Sequence, residues 1–145
     1  MLCKNGGDEA MDLYRSLCDE IGKESMDPGN ILQFARLLDK NSENSHALEI
    51  LAEHLDIIES FWEKREQCRA YEMIAFLYRR KNDYAKSNVY FERQLSTTKE
   101  TNNVESEASA LNRLGFNYGR LGDYGNAMEY LEQSLVIQAE RGDDE

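Results

Sequence analysis

Histidine, cysteine and carboxylate side chains build most catalytic and metal centres, and this sequence places them poorly for either role. His46 and His54 are its two histidines. On one helix a spacing of eight aligns them but leaves about 12 Å between them, too far for a single metal ion. The segment "HALEILAEH" that joins them lacks the order of the zinc motif His-Glu-x-x-His. The glycines of "GRLGDYG" follow no strand and precede no Gly-Lys-Ser, so they form no phosphate loop. Cys3, Cys18 and Cys68 are odd in number and widely spaced, which suits free thiols in a reducing compartment better than a disulfide framework. The remaining candidate chemistry is recognition. Arg69, Met73, Phe76 and Arg80 recur at i, i+4, i+7 and i+11, which puts two cations and two apolar groups on one helical stripe.

The stripe belongs to a repeat. With an offset of 40 residues, "LNRLGFNYGRLGDYGNAMEYLEQSL" (111–135) falls on "YEMIAFLYRRKNDYAKSNVYFERQL" (71–95). Tyr118 meets Tyr78, Asp123-Tyr124 meets Asp83-Tyr84, and Leu135 meets Leu95. A second offset reaches "ILQFARLLDKNSENSHALEILAEHL" (31–55), where Phe34, Ala35, Leu38, Ala47, Leu51 and Leu55 fill the same columns. The stripe recurs as Gly29, Gln33, Arg36, Lys40 and as Ser109, Arg113, Phe116, Arg120. Stacked, the copies make one ladder of Lys40, Arg80 and Arg120 and another of Arg36, Phe76 and Phe116.

Each copy reads as two amphipathic helices. In the third, Leu111, Leu114, Gly115 and Tyr118 form one face, and Ala127, Met128, Leu131 and Leu135 form the next. Gly122 sits where the first helix ends, a position that favours a left-handed residue, and Asn82 and Ser42 hold that column in the other copies. The column of Gly115 contains only Ala35, Ala75 and glycine, so a close approach of two helices is expected there. Gly119 either leaves room for a ligand chain or is simply tolerated. Ahead of the repeats, residues 8–24 form a lone helix with a stripe of Ala10, Leu13, Tyr14, Leu17 and Ile21. Asp27 is the expected N-cap of the following helix, with Pro28 at its first position.

These columns resemble the tetratricopeptide repeat: a large apolar residue, then Gly115, Tyr118, Gly122, Tyr124, Ala127 and the pair Tyr130-Leu131. The second copy carries Ala75, Tyr78, Asn82, Tyr84, Ser87 and Tyr90-Phe91, and the first is degenerate. The usual period is about 34 residues. The surplus here falls at the end of the second helix, a longer form similar to the repeats of Pins-type spindle-orientation scaffolds and rapsyn. The resemblance implies an all-α fold, a right-handed α-solenoid of helix–turn–helix repeats with about seven helices. Residues 1–145 would be one domain: the helix 8–24, a degenerate repeat 28–67, and repeats 68–107 and 108–145. The last helix, 125–139, shows an apolar face of Leu131, Leu135 and Val136 with no helix after it, so either the chain is a fragment lacking a C-terminal cap or that face meets a partner.

Within such a fold the first helices line a concave groove. Taken as 28–41, 68–81 and 108–121, they carry +1, +3 and +2, while the chain as a whole carries −11. The net charge and a pI near 4.7 argue against nucleic acid or anionic lipid as a main partner, and the basic wall inside an acidic protein suits an acidic protein segment. Lys40, Arg80 and Arg120 also lie in the last turns of their helices, where cations complement the helix dipole without any ligand. Phe76 and Phe116 either pack between repeats or anchor a peptide. The chaperone-type carboxylate clamp of the family would need Lys, Asn, Asn, Lys and Arg where this chain has Leu32, Arg36, Met73, Ser109 and Arg113. Only Arg113 matches. Pins-type repeats carry asparagine where this chain has Arg36, Phe76 and Phe116.

The expectation is a cytoplasmic scaffold or adaptor, not an enzyme, with no cofactor. It would hold an acidic peptide segment with apolar anchors through Arg36, Lys40, Arg69, Met73, Phe76, Arg80, Arg113, Phe116 and Arg120. A self-assembly element, forming a homo-oligomer through helix 125–139, and a regulatory peptide-sensor domain are the rival readings. No run of apolar residues is long enough to span a membrane, and the N-terminus shows neither a secretory leader nor a myristoylation site.

Overall fold

The computed structural model describes residues 6–22 and 25–142. Among them are eight α-helices and no strand: α1 (Gly6–Ile21), α2 (Pro28–Lys40), α3 (Asn44–Glu53), α4 (Leu55–Phe61), α5 (Lys64–Arg80), α6 (Tyr84–Thr101), α7 (Val104–Arg120) and α8 (Tyr124–Gly142). The chain falls into two compact units, residues 1–66 and 67–145. Eight helices stand where about seven are expected, because the second helix of the first copy breaks at His54. There the backbone leaves the helical basin (φ −97°, ψ 0°). The His54 ring turns inward, with Nδ1 donating to the Ile50 carbonyl (2.9 Å) and the Tyr14 hydroxyl donating to Nε2 (2.8 Å). Expected residues 23 and 24 of the first helix lie outside the described residues, as does Cys3.

The helix ends follow the sequence closely. Ser42, Asn82 and Gly122 adopt φ of 64°, 62° and 82°. In each case the next residue donates its N–H back to the carbonyl five positions earlier: Glu43 to Leu38 (2.8 Å), Asp83 to Tyr78 (3.0 Å) and Asp123 to Tyr118 (2.9 Å). This is the Schellman motif three times over, and it satisfies carbonyls that a helix end leaves open. Asn102 (φ 54°) closes α6 with a five-residue bond from Asn103 to Thr98. Asp83, Asn103 and Asp123 then cap the following helices by accepting from Lys86, Ser106 and Asn126. Asp27 occupies the expected N-cap position with Pro28 after it, but its side chain makes no cap bond; its backbone carbonyl takes the N–H groups of Asn30 and Ile31 instead.

Helices α5 and α7 begin four residues before the expected 68 and 108. Asn103 is the reason at α7, since it caps one turn upstream. The residues beyond the usual period are thus shared between the end of α6 and the start of α7. Counting the observed helices lowers the basic excess: α2 carries +1 and α5 +3, but α7 is neutral once Glu105 and Glu107 join Arg113 and Arg120.

In the first unit α1 docks by Met11, Tyr14 and Cys18. Tyr14 stacks on Phe34 (centroids 5.2 Å apart) and Arg15 pairs with Glu49. His46 Nε2 lies 3.2 Å from Asp8. Ile31, Ala35, Ala47, Ile50, Leu51 and Ile58 complete the interior. Burying each large apolar side chain contributes about 1.5–3 kcal/mol.

In the second unit Ala75, Phe91, Leu95, Ala110, Leu111 and Leu114 form the core. The repeat is visible as paired tyrosines, Tyr78 on Tyr90 and Tyr118 on Tyr130, with centroids 5.8 and 5.5 Å apart. A buried relay ties three helices: Asn117 on α7 donates to Ser87 on α6 (2.9 Å), which donates to the Ala75 carbonyl on α5 (2.8 Å). Gly115 lets α8 approach α7. A Cβ built there would lie 2.7 Å from Leu131 Cγ and 3.2 Å from the Ala127 carbonyl oxygen. Around Gly119 there is open space.

Candidate partner-binding surface

The stripe on α5 and its counterpart on α7 lie side by side in the second unit and interlock. Arg113 of α7 stacks over Phe76 of α5, with the guanidinium carbon 4.2 Å from the ring centroid. Reciprocally, Arg79 of α5 stacks over Phe116 of α7 at 4.3 Å. Arg120 also approaches Phe116 (5.8 Å), and its Nε donates to the Tyr84 hydroxyl (3.4 Å). Each such cation–aromatic contact is worth about 0.5–1 kcal/mol at an exposed position. The result is a row of guanidiniums and rings across two helices.

The members of this row differ in what they can still do. Phe76 packs edge-on against Phe91 of the core (5.6 Å) and is roofed by Arg113, so it mostly serves packing. Arg113 is committed internally: its Nη2 lies 3.6 Å from Glu72 and its Nε donates to Ser109 (3.0 Å). Partial burial pulls its pKa below the usual arginine range; Glu72 opposes that shift, and the nearby positive Arg79 adds to it. Phe116, by contrast, keeps 45% of its surface exposed between Arg79 and Arg120. Neither of those two arginines has a carboxylate partner among the described residues. Their contacts are with rings and a hydroxyl.

Of the other expected residues, Arg69 and Arg80 are exposed on α5 and Met73 is half-buried there. Arg36 and Lys40 are exposed on α2, in the first unit. Arg79 and Tyr84 escape the sequence reading. The column of Arg79 holds Asp39 and Gly119 in the other copies, so no periodic signal marks it; its role comes from reaching across to the neighbouring helix. The surface is a row of guanidiniums with one exposed aromatic, Phe116, among them. No group of three His, Cys, Asp or Glu that would hold a metal occurs among the described residues. No helix among the described residues is long and apolar enough to cross a membrane.

A family model described as tetratricopeptide repeat matches residues 66–140, just over half of the chain and beginning at the end of the degenerate first copy. No curated protein sequence matches. Among solved structures, the TPR domain of Arabidopsis FLU superimposes with a TM-score of 0.66 at 19% identity, over 77% of this chain and 94% of that one. A putative kinesin light chain of Podospora anserina with nearly identical TPR-like repeats gives 0.73 at 19% identity, over 94% and 68%. BtubC (BKLC) from P. vanneervenii gives 0.65 at 20% identity and covers 90% of this chain, which spans 54% of that protein. At such identities the likeness is one of fold.

Proposed function

This chain belongs to the tetratricopeptide repeat family, whose repeats mediate protein–protein interactions, and we propose that it holds an acidic partner segment against the shared face of α5 and α7. The observation that carries this reading is the pair Arg79 and Arg120. Both guanidiniums lack a carboxylate partner among the described residues, in a chain with 28 acidic residues against 17 basic ones. In such a chain, cations left unpaired around an exposed ring are best explained by an acid supplied from outside. Phe116 is the apolar anchor, and Met73 on α5 is a second apolar group. Arg79, Arg120, Arg69 and Arg80 meet carboxylates, while Phe76 and Arg113 hold the surface in shape. In the first copy Lys40 stands in the column of Arg80 and Arg120, and Arg36 in that of Phe76 and Phe116.

Exposed ion pairs are worth only about 0.2–1 kcal/mol each, so the arginines mainly set association rate and selectivity. Phe116 carries the larger share, about 2 kcal/mol as a central anchor. A displayed library of random peptides selected on the wild-type protein tests this. Selected sequences should be enriched in Asp and Glu around one or two large apolar residues. They should lose affinity for Phe116→Ala, and for Arg79→Glu combined with Arg120→Glu, in variants whose circular dichroism is unchanged. Selected peptides without acidic enrichment, or with undiminished affinity for both variants, would refute it.

A further inference from the structure

Among the described residues, nothing covers the apolar outward face of α8. Tyr124, Met128 and Leu135 are 71%, 60% and 63% exposed, with Leu121 and Val136 beside them. The chain's own repeat shows what such a face accommodates. Forty residues earlier the columns of Tyr124, Met128 and Leu135 hold Tyr84, Asn88 and Leu95 on α6, of which the last two are buried. Here α7 covers α6: Ala110 and Leu114 pack with Leu95, and hydrogen bonds tie its two ends, Asn117 donating to Ser87 and Ser106 accepting from Gln94. The covering helix thus presents small or apolar residues about a turn apart over some three turns.

The rim specifies the charge of the occupant. Glu129, Glu132 and Glu140 line the free edge of this face and have no ion-pair partner among the described residues, while the one cation of α8, Arg141, is held by Glu105 (2.7 Å). Glu132 is the counterpart of Glu92, and Glu92 accepts hydroxyl hydrogens from Tyr118 of its covering helix (3.2 Å) and from Tyr130 (3.4 Å). A helix lying on α8 therefore places a donor over Glu132. A second copy of the chain fits poorly. Pairing α8 with α8 about a two-fold axis sets the three glutamates against themselves. The other exposed apolar stripe, Leu13, Leu17 and Ile21 on α1, is flanked by Glu9 and Glu20.

We infer that α8 is a second docking surface, separate from the α5–α7 face, whose occupant is an amphipathic partner helix with small or apolar residues at i, i+4 and i+8 and Lys or Arg along its flank. The inference does not rest on the acidic-segment reading. Its test uses two synthetic probes: the peptide of residues 104–121, which is the helix that covers the equivalent face of α6, and the same peptide carrying Glu107→Lys and Tyr118→Lys. Binding is followed by fluorescence anisotropy at low and moderate salt. The lysine peptide should bind several-fold tighter than the native one, and this advantage should shrink with salt. Leu135→Asp should weaken it about tenfold or more, as expected for a charge set into an apolar contact. Glu132→Lys should remove most of the lysine advantage, while Phe116→Ala leaves both affinities unchanged. Equal binding of the two peptides, or binding indifferent to Leu135→Asp, overturns the inference. So does concentration-dependent self-association in light scattering that Leu135→Asp abolishes, since the occupant would then be a second copy.

Discussion

Gly115 and Gly119 stand one turn apart on α7 and differ only in their surroundings. A Cβ at Gly115 meets Leu131 and the backbone of Ala127 below 3.3 Å, whereas one at Gly119 meets nothing within 4 Å. Replacing either by alanine gains about 1 kcal/mol of helix propensity. Only the first adds an overpacking cost of about 1–3 kcal/mol. Gly119→Ala should therefore raise the denaturation midpoint and Gly115→Ala should fall below it by about 1–3 kcal/mol, measured in urea; equal stabilities would mean that α8 shifts freely on α7. Tyr118 gives a second residue-level expectation. Burial, then the charge of Glu92, pushes its pKa up to about 12, and Tyr130 moves in the same direction. An unfolded tyrosine ionises near pH 10. Below that pH the folded and unfolded chains hold the same phenolic proton and the contribution is constant. Above it the unfolded chain loses the proton first, so stability falls as pH rises from about 10 towards 12. Unfolding midpoints measured from pH 9 to 12 should decline less steeply for Tyr118→Phe than for the wild type.

Helix ends in this chain are written one residue at a time, which makes them open to single changes. Ser42 adopts φ 64° at the end of α2, where Gly122 serves at the end of α7. A left-handed conformation costs a residue with a Cβ about 1–2 kcal/mol, partly offset by the greater unfolded-state freedom of glycine. Ser42→Gly should stabilise the first unit by about 0.5–1 kcal/mol, and Asn102→Gly should gain less because asparagine visits that region readily; a loss on Ser42→Gly, read by thermal melting, would mean that the hydroxyl has an unseen role. Such signals were legible in the sequence because they are local and recur every 40 residues. The repeat family, the αL column of Ser42, Asn82 and Gly122, and the tight packing at Gly115 all follow from it. What the sequence hid was tertiary. The break at His54 depends on the Tyr14 hydroxyl from another helix. The early start of α7 depends on which of several polar residues caps it. On the candidate surface, Phe116 and Arg120 stood out by spacing, but Arg79 did not, since its ring partner lies on the next helix. The division of labour between Phe76 and Phe116 likewise turns on Phe91 beneath one of them.

At the scale of the whole molecule, stability in a repeat protein is a sum over nearest neighbours. In the second unit α7 packs against both α6 and α8, whereas α8 packs chiefly against α7. Its buried residues are few, Ala127 and Ser134, with Ser134 donating to the Ala108 carbonyl (3.2 Å). Local opening should therefore remove α8 at a lower free energy than α7. Native-state hydrogen exchange should show the amides of Ala110–Asn117 among the slowest in this unit and those of Leu135–Ala139 about tenfold or more faster. The gradient also reports on occupancy of the outward face. A helix bound along Met128 and Leu135 gives α8 a second neighbour, so saturating lysine peptide should slow exchange in α8 while α7 changes little. An acidic peptide on the α5–α7 face should leave the α8 gradient in place. Uniform protection of α7 and α8 in the isolated protein at low concentration would mean that the terminal hairpin opens as one cooperative block, and that the exposed apolar face costs α8 nothing in local stability.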